Sequence, residues 1–367
     1  MESRFIPISK PSITRLEEQF VFQAVQSTWV SSLGEYITRF EKDFAEFCDT
    51  RHAISVFNGT VAIHLALRAL EIGPGDEVIV PNLSFIATAN AVLHAGATPV
   101  FCDIQRETLC MDPQDMLKKI TSRTKAVMPV HLYGHPAPMN EILELAGQRG
   151  LLVIEDAAEA HGAKAYNQKV GSFGKCGTFS FYGNKIITTG EGGMITTNDD
   201  RLNEKLRHLR DHAMLKEKRY WHDEVGYNYR ITNLQAALGC AQMDRIKELL
   251  QGRQAVLDAY RRRLSELGGV TLNRHASWAE PVCWLVCLEM EGLTENRRDQ
   301  LIGFLKERGI DSRPYFYPMD AMPYFKSKTD TPISAEISRI GINLPTYIGL
   351  QDEEIDHICN AIREFRI

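Results

Sequence analysis

One pattern recurs from residue 53 to residue 197 and restricts the possible folds of this 367-residue chain more than any other feature. A short apolar run is followed by a break rich in Gly, Pro or Asn, and then by a segment in which Ala, Leu and Ile recur at helical spacing. This alternation is typical of βαβ units, whose helices cover a mostly parallel sheet. The predicted strands are 53–57, 77–80, 98–102, 126–131, 151–154 and 178–181, with an edge strand at 194–197, and the predicted helices between them are 61–70, 87–94, 112–120 and 139–149.

The pattern changes beyond residue 200. Long amphipathic helices rich in Leu, Arg, Lys and Glu are predicted at 202–209 and 234–264. After Gly268-Gly269 the segments become shorter and mixed, with a strand predicted at 284–290 and helices at 297–308 and 353–365. We therefore expect an α/β fold with a larger domain over residues 1–249, which includes an N-terminal arm, and a smaller α+β domain over residues 250–367.

The composition excludes several functional classes. Forty-two Lys and Arg against 47 Asp and Glu give a net charge of −5, so bulk charge draws the chain to neither nucleic acid nor an anionic membrane. The eight Cys have mostly apolar neighbours and form no C-x-x-C pair, which indicates reduced thiols in a cytoplasmic protein and no metal site. The N-terminus lacks the apolar core of a signal peptide, and no stretch approaches the ~18 uninterrupted apolar residues of a membrane span.

Parallel sheets bind ligands at the carboxyl ends of their strands, so the residues that follow each predicted strand are the first candidates. Asn58-Gly59-Thr60 stands between the strand at 53–57 and the helix at 61–70. Free amides at a helix N-terminus and the Thr60 hydroxyl suit a phosphate, and Gly59 lets the anion approach the backbone. The alternative is a plain helix cap. No G-x-G-x-x-G or Walker A pattern occurs, which disfavours a dinucleotide fold or a P-loop.

Two further candidates follow later strands of the same sheet. Glu155 and Asp156 end a buried strand, where a carboxylate needs a cationic partner such as a protonated pyridine nitrogen; a metal carboxylate or a surface acid is the alternative. Lys185 lies in a Gly- and Thr-rich turn, where desolvation would lower its pKa and make the amine a nucleophile toward an aldehyde; a solvated lysine is the alternative. An anion cup, a buried acid and this lysine together form the protein side of a pyridoxal 5'-phosphate (PLP) site.

Five ordered blocks carry a family resemblance over most of the chain. They read FNGTVAIHLAL, DEVIVPNLSFIATANAV, VIEDAAEAHGA, GTFSFYGNKIITTGEGGMITTND and GYNYRITNLQAALG. With these blocks the sequence resembles the DegT/DnrJ/EryC1/StrS family of sugar-nucleotide aminotransferases. The resemblance begins at WVSSLGEYITRFEKDFAEF (29–47) and reaches the C-terminal helix. It implies an aspartate-aminotransferase-like fold (PLP fold type I), with a large domain whose mostly parallel sheet is flanked by helices and a smaller α+β C-terminal domain.

The resemblance also implies roles for single residues. Lys185 would bind the cofactor covalently and carry a proton between cofactor and substrate. Asp156 would pair with the pyridine nitrogen, and Glu159 would lie near the ring hydroxyl, where many relatives have Gln. Phe85 would stack on the ring, a role that its position beyond the strand at 77–80 allows, although a core position is the alternative.

The phosphate contacts complete this implied set. The phosphate would be held by Gly59, Thr60 and the Ser180 hydroxyl. In the family an Asn of the GYNYR block reaches the phosphate from the neighbouring subunit, and here that residue is Asn228. A site built from two chains implies an obligate homodimer.

Five residues are candidates for contacts with the nucleotide-sugar substrate. Arg313 and Tyr317 combine a guanidinium for phosphates with an aromatic face for sugar or base, although packing between lobes explains them equally. Ser31 and Ser32 could border the sugar cleft. His161 matches a family block, but its alternative role is to tie a loop.

The resemblance implies a PLP-dependent transaminase with L-glutamate as amino donor. The FYGNK form of the lysine block is most similar to enzymes that aminate C4 of a GDP-linked 4-keto-6-deoxy sugar, here GDP-4-keto-6-deoxymannose. A dTDP-4-keto-6-deoxyglucose acceptor is the second interpretation. A dehydratase on the same fold carries His where this chain has Lys185, and a non-enzymatic regulator would not need the lysine and the ring-nitrogen acid together. Either amino sugar would enter a surface polysaccharide or a glycosylated metabolite.

Overall fold

A computed structural model describes residues 5–325 and 328–365. In this part of the chain the strands are β1 (His52–Val56), β2 (Glu77–Pro81), β3 (Thr98–Cys102), β4 (Thr124–Val127), β5 (Leu152–Asp156), β6 (Lys164–Ala165), β7 (Gln168–Lys169), β8 (Cys176–Ser180), β9 (Gly193–Thr197), β10 (Val270–Leu272), β11 (Ala279–Glu280), β12 (Val286–Met290), β13 (Arg313–Pro314) and β14 (Ile342–Leu344). The helices are α1 (Arg15–Gln26), α2 (Glu35–Phe47), α3 (Gly59–Ala69), α4 (Ala87–His94), α5 (Pro113–Lys118), α6 (Met139–Gln148), α7 (Asp200–Arg210), α8 (Asn233–Asp244), α9 (Ile246–Leu264), α10 (Glu295–Glu307), α11 (Pro332–Ile340) and α12 (Asp352–Glu364). Short 3-10 turns occur at Leu132–Gly134 and Met319–Ala321.

The largest sheet has seven strands in the order β1-β9-β8-β5-β4-β2-β3. β3, β2, β4, β5 and β8 pair in parallel, whereas β9 is antiparallel to both β8 and β1. Because two antiparallel pairings restore the original direction, β1 runs with the parallel strands. The carboxyl ends of β1, β2, β5 and β8 therefore lie at one edge of the sheet.

The predicted parallel sheet is confirmed, with two corrections. The strand expected at 126–131 is β4, which begins at Thr124 and ends at Val127. The edge strand expected at 194–197 is β9, which lies inside the sheet between β1 and β8. The dozen residues from β8 to β9 are too few for a crossover helix, so the chain returns antiparallel and pairs on both sides.

Helices cover both faces of this sheet, as the buried residues of each strand show. In β1, Ile54 packs into an apolar cluster with α3, α4 and α7, whereas Ala53 packs on the opposite face with α2, α6 and α8. In β2, Val78 and Ile79 divide between the two clusters in the same way. This alternation is the period of two of a β-strand, applied to a sheet buried on both sides.

Beyond the large sheet, β10, β12, β14 and β13 form a four-stranded antiparallel sheet, which packs with α9, α10 and α12. The N-terminal arm joins it, because Ile6 pairs with Ile310 and Ile8 accepts a hydrogen bond from the Thr346 amide. The division expected between residues 249 and 250 falls inside α9, and it stays a prediction.

The helix predicted over 234–264 is two helices, α8 and α9, separated at Arg245 (φ −106°, ψ 6°). The Arg245 guanidinium donates to Glu17 at 2.6 Å and to the Ser12 carbonyl at 3.2 Å, so it joins the break to α1 and to the residues just before that helix. All eight Cys are free and buried, as the sequence predicts. Within residues 5–325 and 328–365, no helix combines the length and the apolar character that crossing a bilayer requires.

Candidate active site

The first part of the site is a cup between the start of α3 and the end of β8. Asn58 caps α3 by accepting a hydrogen bond from the Val61 amide at 2.9 Å, so the cap alternative is correct for Asn58. The cap does not remove the anion site, because Gly59 and Thr60 occupy the first helical turn, where amides lack acceptors within the helix. A Cβ on Gly59 would lie 2.8 Å from the Cβ of Ser180, so only glycine allows this approach.

Strand register brings the two halves of the cup together. Gly193 in β9 pairs with Val56 at the end of β1 on one side and with Ser180 at the end of β8 on the other. A Cβ at Gly193 would lie 2.5 Å from the carbonyl oxygen of Asn58. The antiparallel strand and its glycine therefore let the helix N-terminus and the Ser180 hydroxyl meet.

Asp156, the last residue of β5, supplies a buried carboxylate. It accepts hydrogen bonds from the Thr88 hydroxyl at 2.8 Å and from the Ala158 amide at 3.2 Å. Burial raises the pKa of Asp156, and these two donors together with the charge of Lys185 act in the opposite direction. A protonated ring nitrogen in this cleft would favour the ionised carboxylate further.

The neighbouring acid, Glu155, has a structural role. Its side chain accepts hydrogen bonds from the amides of Gly171, Phe173 and Gly174 at 2.7–2.9 Å. His131 contacts it at 3.1 Å through Nε2, and Nδ1 of the same ring accepts from an amide, so Nε2 carries the proton. Of the two acids that the sequence offered, only Asp156 remains available to a ligand.

Lys185 places its amine between a carboxylate and an aromatic ring. Its Nζ lies 3.6 Å from Oε1 of Glu159 and 4.0 Å from the centroid of Trp284. Burial lowers the pKa of Lys185, although Glu159 and Asp156 oppose the change. Burial also raises the pKa of Glu159 to about 7, while the charge of Lys185 and the Tyr133 amide, which donates to Oε2 at 2.9 Å, counteract it. Burial thus acts against the charged form of both groups, and the opposite charge of each partner favours it.

Phe85 lies at the open side of the cleft with 54% of its surface exposed, which excludes the core alternative. Its ring centroid is 5.8 Å from that of Phe316, and Phe316 stacks on Tyr133 at 5.3 Å. A planar ligand ring can stack on Phe85 without displacing core side chains.

The candidate substrate residues lie in different settings. Arg313 is exposed and lies 3.5 Å from Asp311, and Tyr317 is 49% exposed, so both can reach a ligand. Ser31 is exposed and Ser32 is half-buried. In the described part of the chain, no hydrogen bond or ring contact joins these four residues to Lys185.

His161 is fully buried, and its ring lies within 6.4 Å of the rings of Phe44, Phe179 and Phe181. Burial lowers its pKa to about 3, so the ring is neutral at pH 7. It has no surface to offer a substrate, and this position favours the structural alternative over the expected substrate contact. Asn228 is exposed, and its backbone bridges to Asp211; its expected contact across a subunit interface stays a prediction.

Three residues at the site were missed by sequence reasoning. Tyr133 follows the predicted strand at 126–131, so the rule about strand ends could have found it; its φ of 53° marks an irregular turn. Thr88 lies inside a predicted helix, and nothing in the pattern indicates that its hydroxyl points to Asp156. Trp284 comes from a distant segment that the sequence indicated only as a strand.

The cleft fits PLP on its own geometry. Glycine at position 59 lets the start of α3 approach the Ser180 hydroxyl closely, Asp156 offers a buried carboxylate, and Lys185 offers an amine whose pKa is lowered. Together with the seven-stranded sheet, these features define a PLP-dependent enzyme with the aminotransferase fold.

The comparisons with known proteins identify the family. Residues 11–363 match the DegT/DnrJ/EryC1/StrS aminotransferase family, and the chain belongs to it. A GDP-perosamine synthase from Caulobacter vibrioides is 49% identical over 361 residues, which cover 97% of each chain. A GDP-perosamine synthase from Escherichia coli O157:H7 is 44% identical over 363 residues, 99% of each chain. The solved structure of a putative sugar aminotransferase from Streptococcus pneumoniae, in its PMP form, is 28% identical with a TM-score of 0.93 and covers 98% of this chain and 97% of that one.

Proposed function

We propose that this chain transfers the amino group of L-glutamate to C4 of GDP-4-keto-6-deoxymannose and so produces GDP-perosamine. The observation that carries the proposal is the Lys185 amine, 3.6 Å from Glu159 in a buried cleft that Asp156 also faces. The names of two relatives at 44–49% identity over nearly the whole chain support the choice of sugar and nucleotide.

In this proposal each residue of the site has a separate task. PLP, when bound, supplies an aldehyde for amine exchange and a ring that accepts electrons. Lys185 would attach to the cofactor and afterwards move the proton between donor or acceptor carbon and cofactor, because its amine is partly desolvated. Asp156 would keep a proton on the ring nitrogen, and Glu159 would lie beside the ring hydroxyl.

The remaining cofactor contacts would orient the ring. Gly59, Thr60 and Ser180 would hold the phosphate through helix-start amides and hydroxyls. The exposed ring of Phe85 would stack on the cofactor and exclude water from one of its faces.

The substrate contacts follow from charge and exposure. Arg313 has an exposed guanidinium, and in the described part of the chain its one ion-pair partner is Asp311. The guanidinium would therefore bind a diphosphate oxygen. Tyr317 would cover the sugar or the base, and Ser31 and Ser32 would border the sugar. The smaller C-terminal domain, residues 250–367, would thus contribute to substrate binding.

We further propose a homodimer in which Asn228 completes the phosphate site of the partner chain. Asn228 is exposed and follows the exposed segment 216–225, which contains Tyr220 and Trp221. An exposed amide outside its own cleft suits a contact across an interface. L-Glutamate would be the amino donor for both sites.

The test combines a spectrum with a product assay. Purified protein loaded with PLP should show a visible absorption band that L-glutamate moves into the near ultraviolet, and Lys185→Ala should lack the original band. The glutamate-treated protein should then aminate GDP-4-keto-6-deoxymannose, detected by mass spectrometry, faster than dTDP-4-keto-6-deoxyglucose. A preference for the dTDP sugar would overturn the nucleotide assignment. A protein that stays colourless with added PLP would overturn the whole proposal.

A further inference from the structure

Arg253, in the middle of α9, is an arginine that almost no solvent reaches. It is 4% exposed, and in the described part of the chain its hydrogen bonds go to main-chain carbonyl oxygens alone. One terminal nitrogen donates to the carbonyls of Trp284 at 2.6 Å and Thr346 at 3.3 Å. The other donates to Lys185 at 2.9 Å and Asn184 at 3.3 Å.

These acceptors join the lysine turn to the C-terminal part of the chain. Residues 181–192 form neither helix nor strand, so their carbonyls need other partners. Trp284 adds a second bond to the turn, because its Nε1 donates to the Asn184 carbonyl at 2.9 Å. The face of the same ring contacts the Lys185 amine at 4.0 Å.

A buried guanidinium is costly where packing alone is required. An apolar residue of similar volume could pack at this position of α9 without the cost of removing a charge from water. Replacing a buried charged group by such a residue often leaves the fold as stable or makes it more stable. Burial lowers the pKa of Arg253 to about 10, which still leaves it protonated at pH 7. Its position is therefore better explained by the carbonyls that it orders than by the packing of the helix.

We propose that Arg253, together with Trp284, is a positioning residue for Lys185: it fixes the main chain at 184–185 so that the amine lies against the Trp284 ring and faces the cleft. This inference rests on the proposed function, in which Lys185 is the reactive amine. Asn184 and Lys185 would be held from one direction by the guanidinium and from another by the indole.

The charge of Arg253 has a second, separable effect. Burial lowers the pKa of Lys185 most, and Arg253 lowers it further, whereas Glu159 and Asp156 raise it. A small cavity beside Lys185 is also lined by Lys10. The titratable and charged groups that face Lys185 are therefore Lys10, Glu159, Asp156, Arg253 and the neutral ring of His161. Removal of the guanidinium charge should therefore raise the pKa of Lys185.

Three variants separate position from charge. Arg253→Met removes both the charge and the donors, and Arg253→Lys keeps the charge with fewer donors. Trp284→Phe removes the indole donor while keeping a smaller aromatic ring. Arg298→Met is the matched control, because Arg298 is also fully buried and donates to a carbonyl, that of Ser338 at 2.8 Å, but it lies in α10.

The readouts use the protein without cofactor as well as with it. The pH dependence of Lys185 acetylation, followed by peptide mass spectrometry on the apoenzyme, gives the pKa of the amine. The rate of PLP uptake shows whether the Lys185 amine is oriented so that it can react with the cofactor. Thermal unfolding measures the stability of the fold.

We expect Arg253→Met to raise the amine pKa by about one pH unit, which leaves about tenfold less neutral amine at fixed pH. Arg253→Lys should keep the pKa but slow PLP uptake by about tenfold, because a misplaced amine reacts slowly. Trp284→Phe should slow uptake without changing the pKa. Arg298→Met should lower thermal stability alone.

The positioning role is overturned if the Arg253 variants change only thermal stability, as the Arg298 control does. If Arg253→Met does not fold, Arg253→Lys and Trp284→Phe decide between the same outcomes. Failure of the wild-type protein to take up PLP would overturn the proposed function, and the acetylation titration of the apoenzyme would still test Arg253 by itself.

Discussion

At the scale of single residues, the cleft balances groups that act on one amine in opposite directions. Burial and the Arg253 charge lower the pKa of Lys185, and the carboxylates of Glu159 and Asp156 raise it. The pKa of Glu159 is itself raised to about 7, so a small change of pH alters the charge beside the amine. The reactivity of Lys185 should therefore depend on its neighbours as much as on its own burial.

The first prediction concerns Glu159→Gln. Glutamine keeps an oxygen that can accept from the Tyr133 amide but removes the negative charge 3.6 Å from Nζ. Because that charge raises the pKa of Lys185, the variant should have a lower amine pKa, and the acidic limb of its pH–rate profile should move to lower pH. Glu159→Asp, which keeps the charge, is the control. A profile that stays in place or moves to higher pH would contradict the assigned charge effect.

The second prediction concerns Thr88→Val, a change that keeps the shape of the side chain and removes the hydroxyl that donates to Asp156 at 2.8 Å. A lost hydrogen bond to a charged group costs about 1.5 kcal/mol, so turnover with L-glutamate should fall by about tenfold. The loss should grow at low pH, because the pKa of Asp156, already raised by burial, rises further without its donor.

Ser84→Ala is the matched control for this change. The Ser84 hydroxyl lies 3.2 Å from that of Thr88 and belongs to the same buried polar group, yet it makes no recorded bond to Asp156 within residues 5–325 and 328–365. Equal losses in the two variants would show that the Thr88 hydroxyl serves packing rather than the carboxylate.

At the scale of secondary-structure elements, the site depends on how α2, β1 and α7 are joined, because β1 leads directly into the phosphate cup. Glu41 in α2 accepts from the amide and hydroxyl of Ser55 in β1 and from Arg207 and Arg210 in α7. The charged run at 205–210, which resembles a solvated helix face in sequence, therefore contributes two arginines to a buried junction.

The third prediction is that Glu41→Gln destabilises the fold by about 1–3 kcal/mol at pH 7, since it removes the buried counter-charge of Arg207 and Arg210, whose own side chains are partly exposed. Burial would raise the pKa of Glu41, but Arg210, Arg207 and the Ser55 bonds hold it below its ordinary value of 4.5. A lowered pKa stabilises the folded state above the unfolded pKa and loses that contribution as pH falls through the folded pKa. The difference between variant and wild type should therefore shrink below about pH 4.

Urea unfolding at pH 7 and at acidic pH measures this difference. Glu46→Gln is the matched control on the same helix, because Glu46 forms an exposed pair with Lys42 at 3.9 Å and should barely affect stability. A loss of stability for Glu41→Gln that stays constant with pH would mean that the arginines do not act through the ionised carboxylate.

The element scale also shows what the sequence can predict. The apolar runs predicted where the strands end. These predicted ends placed Gly59, Asp156 and Lys185 at one edge of the sheet. The partners of these residues could not be located, because Trp284 and Arg253 come from segments about 70–100 residues further along the chain. Local periodicity contains no information about which distant side chain fills a cleft.

Two of the corrections concern how neighbouring elements are connected. The antiparallel position of β9 depends on the short return from β8, which a pattern of apolar residues does not show. The break at Arg245 depends on bonds to Glu17 and Ser12, over 200 residues away, so the helical spacing at 234–264 continues across it. His161 fits a family block, yet its burial among phenylalanines, which the block does not indicate, favours a structural role.

At the scale of the whole molecule, large apolar side chains remain exposed next to site residues in the chain. Phe57 is 47% exposed two residues before Gly59, and Tyr182 is 52% exposed two residues after Ser180. Trp29, near Ser31, and Trp221, in the segment before Asn228, are also more than half exposed. Large apolar side chains around a polar cleft are typical of a surface that another chain covers, which supports the proposed homodimer.

The fourth prediction tests that homodimer through the division of labour between its chains. If Asn228 serves the partner's site while Lys185 serves its own, Lys185→Ala homodimers and Asn228→Asp homodimers each have two defective sites. A mixed dimer has one site with both defects and one with neither. Coexpression of the two variants should therefore restore about a quarter of wild-type activity, since about half the dimers are mixed and each has one intact site.

Dual affinity tags isolate the mixed dimer, and two differently tagged Lys185→Ala chains provide the control, which should stay inactive. The purified mixed dimer should reach about half of wild-type activity per dimer, because one of its two sites is complete. If Asn228 instead acted within its own chain, every site of the mixed dimer would carry one defect, and coexpression would restore nothing. Since either arrangement permits a dimer, recovered activity tests the crossing of Asn228 between chains rather than dimerisation itself.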